Sequence, residues 1–73
     1  MIDILAIVNT VLENKGAAPV SQLLPQLKLR DDLGFDSFDL AELTVRIEDA
    51  SGIDIFVGGI IETVGEIEAK LAA

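Results

Sequence analysis

The sequence predicts an all-α fold, a small bundle of three longer helices plus one short helix, with a long loop between the first and second. Three observations carry that expectation. Apolar residues recur at helical spacing near the N-terminus and again from residue 36. Residues that cap helices stand where those periodic stretches begin and end. The stretch that could be read as a strand, Ile53-Asp54-Ile55-Phe56-Val57, has no second strand to pair with and is read as a loop.

The first helix is expected over residues 2–14. Ile4, Leu5, Val8, Val11 and Leu12 share one face of it, while Asp3, Asn9, Thr10 and Glu13 lie mostly on the other. Gly16 and Pro19 stop it. The loop that follows carries Leu23, Leu24, Leu27 and Leu29 without one clean period, which makes it apolar enough to pack down and to hold a short helical turn. From residue 36 a sharper stripe returns, with Leu40, Leu43, Ile47 and Ala50 on one side and Asp39, Glu42, Arg46 and Asp49 opposite. Asp36 is placed to cap this second helix, Asp39 sits in the first turn where the helix dipole favours an acid, and Gly52 can supply the left-handed residue past its end. A short, mobile third helix is expected around residues 57–61, weakened by Gly58 and Gly59, each of which costs roughly 1 kcal/mol relative to Ala inside a helix. The last helix opens at Thr63-Val64-Gly65-Glu66, a capping-box pattern in which the Thr63 hydroxyl and the Glu66 carboxylate each take a backbone N–H, and it buries Val64, Ile67 and Leu71.

At 73 residues the chain reads as one domain, 1–73, of a size that buries only ~60% of the surface its unfolded state exposes. It has no Cys, so neither a disulfide nor a thiolate metal site supports it, and its apolar residues must. A reducing compartment suits such a chain, and the cytoplasm is the expected location. Five Lys and Arg against thirteen Asp and Glu leave a net charge of −8, which repels nucleic acid and anionic lipid and favours partners with basic patches. The apolar opening MIDILAIVNTVL is read as an interior helix, because Asp3 stands where an export signal is basic and no small-residue cleavage site follows. The apolar run over residues 55–61 is far short of the ~20 residues that cross a bilayer, so no membrane association is expected.

Catalysis by the chain itself is not expected: it has no His, Cys or Tyr, and too small a body to enclose a substrate. A calcium loop is tested by the twelve residues from Asp31 to Glu42, which have acids at both ends. It fails inside, where Leu33 and Phe35 hold ligand positions and Asp36 stands where the loop needs Gly. Clustered carboxylates would attract divalent ions only by general electrostatics, and no metal site is expected.

The most informative stretch is Leu33-Gly34-Phe35-Asp36-Ser37-Phe38, which sets a serine at a turn opening into an amphipathic helix. In a chain without thiol or imidazole, a modifiable hydroxyl at that place is the best candidate for chemistry supplied from outside. The run Asp32-Leu33-Gly34-Phe35-Asp36-Ser37, the acidic helix after it and the later Thr63-Val64-Gly65-Glu66-Ile67 together resemble the acyl carrier protein family, over nearly the whole chain. The resemblance implies an acyl-carrier-like bundle in which a phosphopantetheinyl transferase esterifies Ser37 with 4′-phosphopantetheine from coenzyme A. The terminal thiol would then hold acyl groups as thioesters. A phosphodiester near a helix N-terminus meets unsatisfied N–H groups and the positive end of the dipole, so the position suits it.

Asp36 and Phe38 would flank the cofactor. Asp36 would help the transferase and its metal ion approach the hydroxyl, or serve as N-cap alone, and both roles are compatible. Phe38 stands where the family commonly has Leu. By the same resemblance Asp39, Glu42, Arg46, Glu48 and Asp49 would form a surface for acyl-loading, condensing or transferase enzymes that carry basic patches, in weak and fast encounters. The plain alternative is a solvated helix face. Two departures bear on partner choice: Arg46 interrupts the acidic stripe, and residues 57–61 are uncharged where fatty-acid carriers are typically acidic. That apolar segment could gate a pocket for the acyl chain, present a docking patch, or simply finish the core with Ile60 and Ile61. The expected function is therefore a monomeric acyl carrier in fatty acid, polyketide or specialised acyl biosynthesis. An aminoacyl or peptidyl carrier and an unmodified acidic helical interaction module are the alternatives.

Overall fold

In a computed structural model, which describes residues 2–59 and 61–72, the chain forms three helices: α1 (Ile4–Asn14), α2 (Ser37–Ser51) and α3 (Val64–Ala72). Among the described residues the extended structure amounts to one isolated bridge between Lys28 and Thr63. The all-α expectation therefore holds.

Each helix starts where its sequence provides a cap. Asp3 precedes α1 and accepts from the Ala6 N–H at 3.1 Å, and Gly52 ends α2 in the left-handed conformation with its N–H on the Glu48 carbonyl at 2.7 Å. At α3 the Thr63 hydroxyl accepts from Glu66 N at 3.3 Å, as the capping pattern requires. The Glu66 carboxylate does not return to Thr63 but takes the N–H of Glu62, one residue earlier, at 3.1 Å.

Apolar faces of the helices meet in one core: Val8, Val11 and Leu12 from α1, Leu40, Leu43 and Ile47 from α2, Val64 and Ile67 from α3. The rest of that core, Leu29, Leu33, Phe35, Ile55 and Ile61, comes from the connections. Loops in this molecule are structural parts, because small helices alone leave too little apolar surface to bury. The stripe on α2 runs out sooner than its periodicity predicts, with Ala50 exposed near the helix end.

Hydrogen bonds hold the long connection between α1 and α2 down at three places. The Asn9 side chain grips Val20 from both sides, its Nδ2 donating to the carbonyl at 3.0 Å and its Oδ1 accepting from the N–H at 2.8 Å. Farther on, Leu29 N donates to the Glu62 carbonyl at 2.9 Å and Val64 N to Leu27 at 3.0 Å. Gly65 N reaches the Pro25 carbonyl at 2.8 Å. The last turn before α2 is closed by Leu33 N on the Lys28 carbonyl, 3.1 Å, and Phe35 N on the Leu29 carbonyl, 3.0 Å.

The short helix expected over residues 57–61 is not formed among the described residues, and Ile60 lies outside them. In its place residues 55–58 make turns, with Val57 N on Asp54 O at 3.3 Å and Gly59 N on Phe56 O at 3.2 Å. Gly58 and Gly59 have φ of 95° and 138°, a sign that a right-handed helix cannot use. The glycines thus do more than weaken a helix there; they turn the chain away from one. Lys70 of α3 donates to the Val57 carbonyl and holds the turn against the bundle. Within this segment Ile55 and Ile61 are buried, whereas Val57 is exposed, so its apolar residues serve the core in part only.

Candidate functional site

Ser37 is the first residue of α2, with its side chain exposed. The turn before it is fixed by a reciprocal pair of acids. Asp36, in extended conformation as N-cap, accepts from Asp39 N through Oδ1 at 2.9 Å, and Asp39 returns Oδ2 to Asp36 N at 3.1 Å. Two of the N–H groups that a helix start leaves over are thereby satisfied. The sequence predicts Asp36 as cap; the second half of the box was equally readable from an acid three residues on.

Asp39 is the principal departure from the expected surface. It is buried, at 5% exposure, rather than displayed on the polar stripe. Its Oδ2 also receives Lys15 Nζ at 2.7 Å, and the same ammonium donates to the Gly34 carbonyl at 2.5 Å and lies 5.8 Å from the centre of the Phe35 ring. The Lys15 hydrogen bond first, and the Asp36 N–H second, hold the Asp39 carboxyl below the ordinary carboxylate range against the opposing effect of burial. An acid in the first turn is drawn inward because a cation from the end of α1 and a cap N–H meet it there. Lys15 was missed in the sequence, although it is one of five basic residues and directly follows the first helix.

The remaining stripe residues divide. Glu42 is partly covered; its Oε2 accepts from Asn14 Nδ2 at 2.7 Å and from Arg46 Nε at 2.8 Å. Those two contacts, Asn14 foremost, hold its carboxyl below the usual value. Arg46 is thus paired along the helix and does not stand alone. Glu48 and Asp49 are exposed, as expected of a solvated acidic face. Phe38, beside Ser37, is 78% exposed and Val45 two turns on is 66% exposed, so the surface next to the serine is more apolar than acidic.

An open groove of about 460 Å³ starts at Ser37 and runs along α2 past Ala41 and Val45, with Arg30, Asp54 and Phe56 on its other side. An exposed hydroxyl with a groove beside it suits a long flexible substituent. Among the described residues no group of three or more acids is placed to hold a metal ion, and no helix is long and apolar enough to cross a membrane.

The family described as phosphopantetheine attachment site matches residues 3–71, both sides of this serine and nearly all of the fold. The chain belongs to the acyl carrier protein family. It is similar to an acyl carrier protein of Saccharopolyspora erythraea, 37% identical over 62 residues that make up 82% of this chain and 65% of that relative. It also resembles an acyl carrier protein of Thermotoga maritima, 34% identical over 67 residues, 89% of this chain and 83% of the relative. The chain thus spans just under two thirds of the first of these. No solved structure matches it.

Membership gives the chain the family's phosphopantetheine attachment domain over nearly its whole length. The family's group is 4′-phosphopantetheine, and the start of α2 fits it: Ser37 is accessible, the helix N-terminus suits a phosphodiester, and the groove gives room for the arm. When bound, the group supplies the thiol that this Cys-free chain lacks.

Proposed function

We propose that Ser37 is the residue that bears 4′-phosphopantetheine, and that the protein carries acyl groups as thioesters between the enzymes that load, extend and release them. The observation that supports this reading most is the placement of an exposed serine as first residue of a helix whose cap is already satisfied by Asp36 and Asp39. The Ser37 oxygen is then free to form a phosphodiester with the pantetheine phosphate of coenzyme A, while adenosine 3′,5′-bisphosphate departs.

Asp36 and Phe38 flank the attachment point in this reading. Asp36 combines capping with service to the transferase, since its box uses Oδ1. The partner surface comprises Phe38, Arg46, Glu48 and Asp49, with Glu42 at its inner border. Asp39 contributes to it indirectly, by fixing the turn. A face that mixes exposed apolar residues with few free acids favours enzymes of a specialised acyl pathway over those that rely on a broad basic patch. The carrier works as a single domain, as a monomer in the cytoplasm, with a phosphopantetheinyl transferase as its first partner.

Incubation of the full chain with coenzyme A and a phosphopantetheinyl transferase of broad range, read by intact mass, tests the assignment. One phosphopantetheine addition that Ser37→Ala abolishes is the expected result. No addition to folded protein across several transferases would replace the carrier with an unmodified interaction module.

A further inference from the structure

The Lys15 ammonium stands between two parts of the modification turn. It donates to the Gly34 carbonyl on the side before Ser37 and to the Asp39 carboxylate on the side after it, at 2.5 and 2.7 Å. Residues 34 and 39 are thereby fixed to one point on the end of α1, and the serine lies between them. The Asp39 carboxylate in turn holds Asp36 N at 3.1 Å, and Asp36 holds Asp39 N at 2.9 Å. The cation thus reaches the Gly34 carbonyl and the Asp39 carboxylate directly, and the Asp36 N–H through that carboxylate.

We infer that Lys15 is a positioning residue for the loading of Ser37, acting as a latch from α1 that holds the Gly34-to-Asp39 turn in the form the transferase receives. The inference rests on the carrier reading of Ser37. Its physical basis is the burial of Asp39. A carboxylate at 5% exposure keeps its charge inside only if it is paired, and Lys15 is its one ion-pair partner among the described residues. Without the ammonium, Asp39 regains hydration by swinging outward, which releases the Asp36 N–H and undoes half of the cap. The Gly34 carbonyl loses the same donor. Helix α2 remains, since its apolar stripe is unaffected, but its first turn samples other conformers. A nucleophile is sensitive to such loosening, because attack requires its oxygen in line with the phosphorus and small misplacements reduce rate steeply.

Loading kinetics of the full chain with coenzyme A and a broad-range transferase test the latch, with Lys15→Met, Lys15→Arg and Ile67→Val compared with the unaltered protein. Ile67 is buried in α3 outside this network, so Ile67→Val reports what loss of packing alone does. Lys15→Met is expected to lose about tenfold in kcat, with KM for the carrier within about threefold, because the serine is misplaced while the docking surface is kept. Lys15→Arg should recover most of the rate, and Ile67→Val should load normally at temperatures where it is folded. Amide hydrogen exchange at Asp36 and Asp39 should quicken in Lys15→Met and not in Ile67→Val. Normal loading and unchanged exchange in Lys15→Met, or an equal rate loss in Ile67→Val, would overturn the inference. If the unaltered chain takes no phosphopantetheine, the carrier reading fails instead, and exchange at Asp36 and Asp39 still decides whether Lys15 holds the turn.

Discussion

Asp39 shows how one side chain can belong to the site without being presented by it. Its carboxyl titrates below the ordinary value of 3.8 in the folded chain, chiefly through Lys15 and next through the Asp36 N–H. In the unfolded chain it returns to that value. Between the two pKa values the unfolded state therefore binds more protons, and stability rises with pH across that window. The contribution is complete above the unfolded value and is lost as pH falls through the folded one. Denaturation midpoints followed from neutral pH downward should therefore drop on the acid side, and Asp39→Asn should make that drop shallower. Glu42 is held down in the same sense by Asn14 and Arg46 and adds to the slope, so the variant lessens the acid limb without abolishing it. An Asp39→Asn profile parallel to that of the unaltered protein would show that the Lys15 contact contributes nothing in solution.

At the level of elements, the helices were legible and the contacts that position them were not. The stripe through Leu40, Leu43 and Ile47 and the caps Asp36 and Gly52 are local patterns, read within a turn or two of the residue concerned. Lys15 on Asp39 and Asn9 on Val20 join residues whose partners no local rule names. The segment over residues 57–61 differs from its sequence pattern for a related reason: helix propensity assigns its two glycines only a penalty, whereas their positive φ excludes the helix. Gly65 is the converse, a residue in a helix opening whose lack of a side chain is used. A Cβ there would stand 3.0 Å from the Pro25 carbonyl oxygen and 3.2 Å from the Pro25 Cβ, at the place where Gly65 N already bonds that carbonyl. Gly65→Ala should therefore destabilise the fold by about 1–3 kcal/mol despite the better helix propensity of Ala, as overpacking does. Urea denaturation measures this directly, and a neutral or stabilising result would mean that the loop yields freely.

For the whole molecule, charge and size set the terms. A net charge of −8 on a chain of 73 residues makes the compact state repel itself, and the two ion pairs found among the described residues, Lys15–Asp39 and Arg46–Glu42, relieve only part of it. Monovalent salt screens that repulsion, with a Debye length of about 10 Å at 0.1 M. The thermal midpoint should rise between low salt and physiological ionic strength, opposite to a fold held mainly by surface ion pairs; a falling midpoint would refute this balance. The acidic excess was plain from composition, whereas its distribution was not, because burial of Asp39 and pairing of Glu42 depend on the fold. One further consequence lies in the bonds that join residues 25–29 to residues 62–65. The turn that leads to Ser37 hangs from Leu29, and Leu29 is held by Glu62. A nascent chain emerging from the ribosome has made its serine long before it has made that support. The approach to the serine is therefore completed only after residues 62–65 are synthesised.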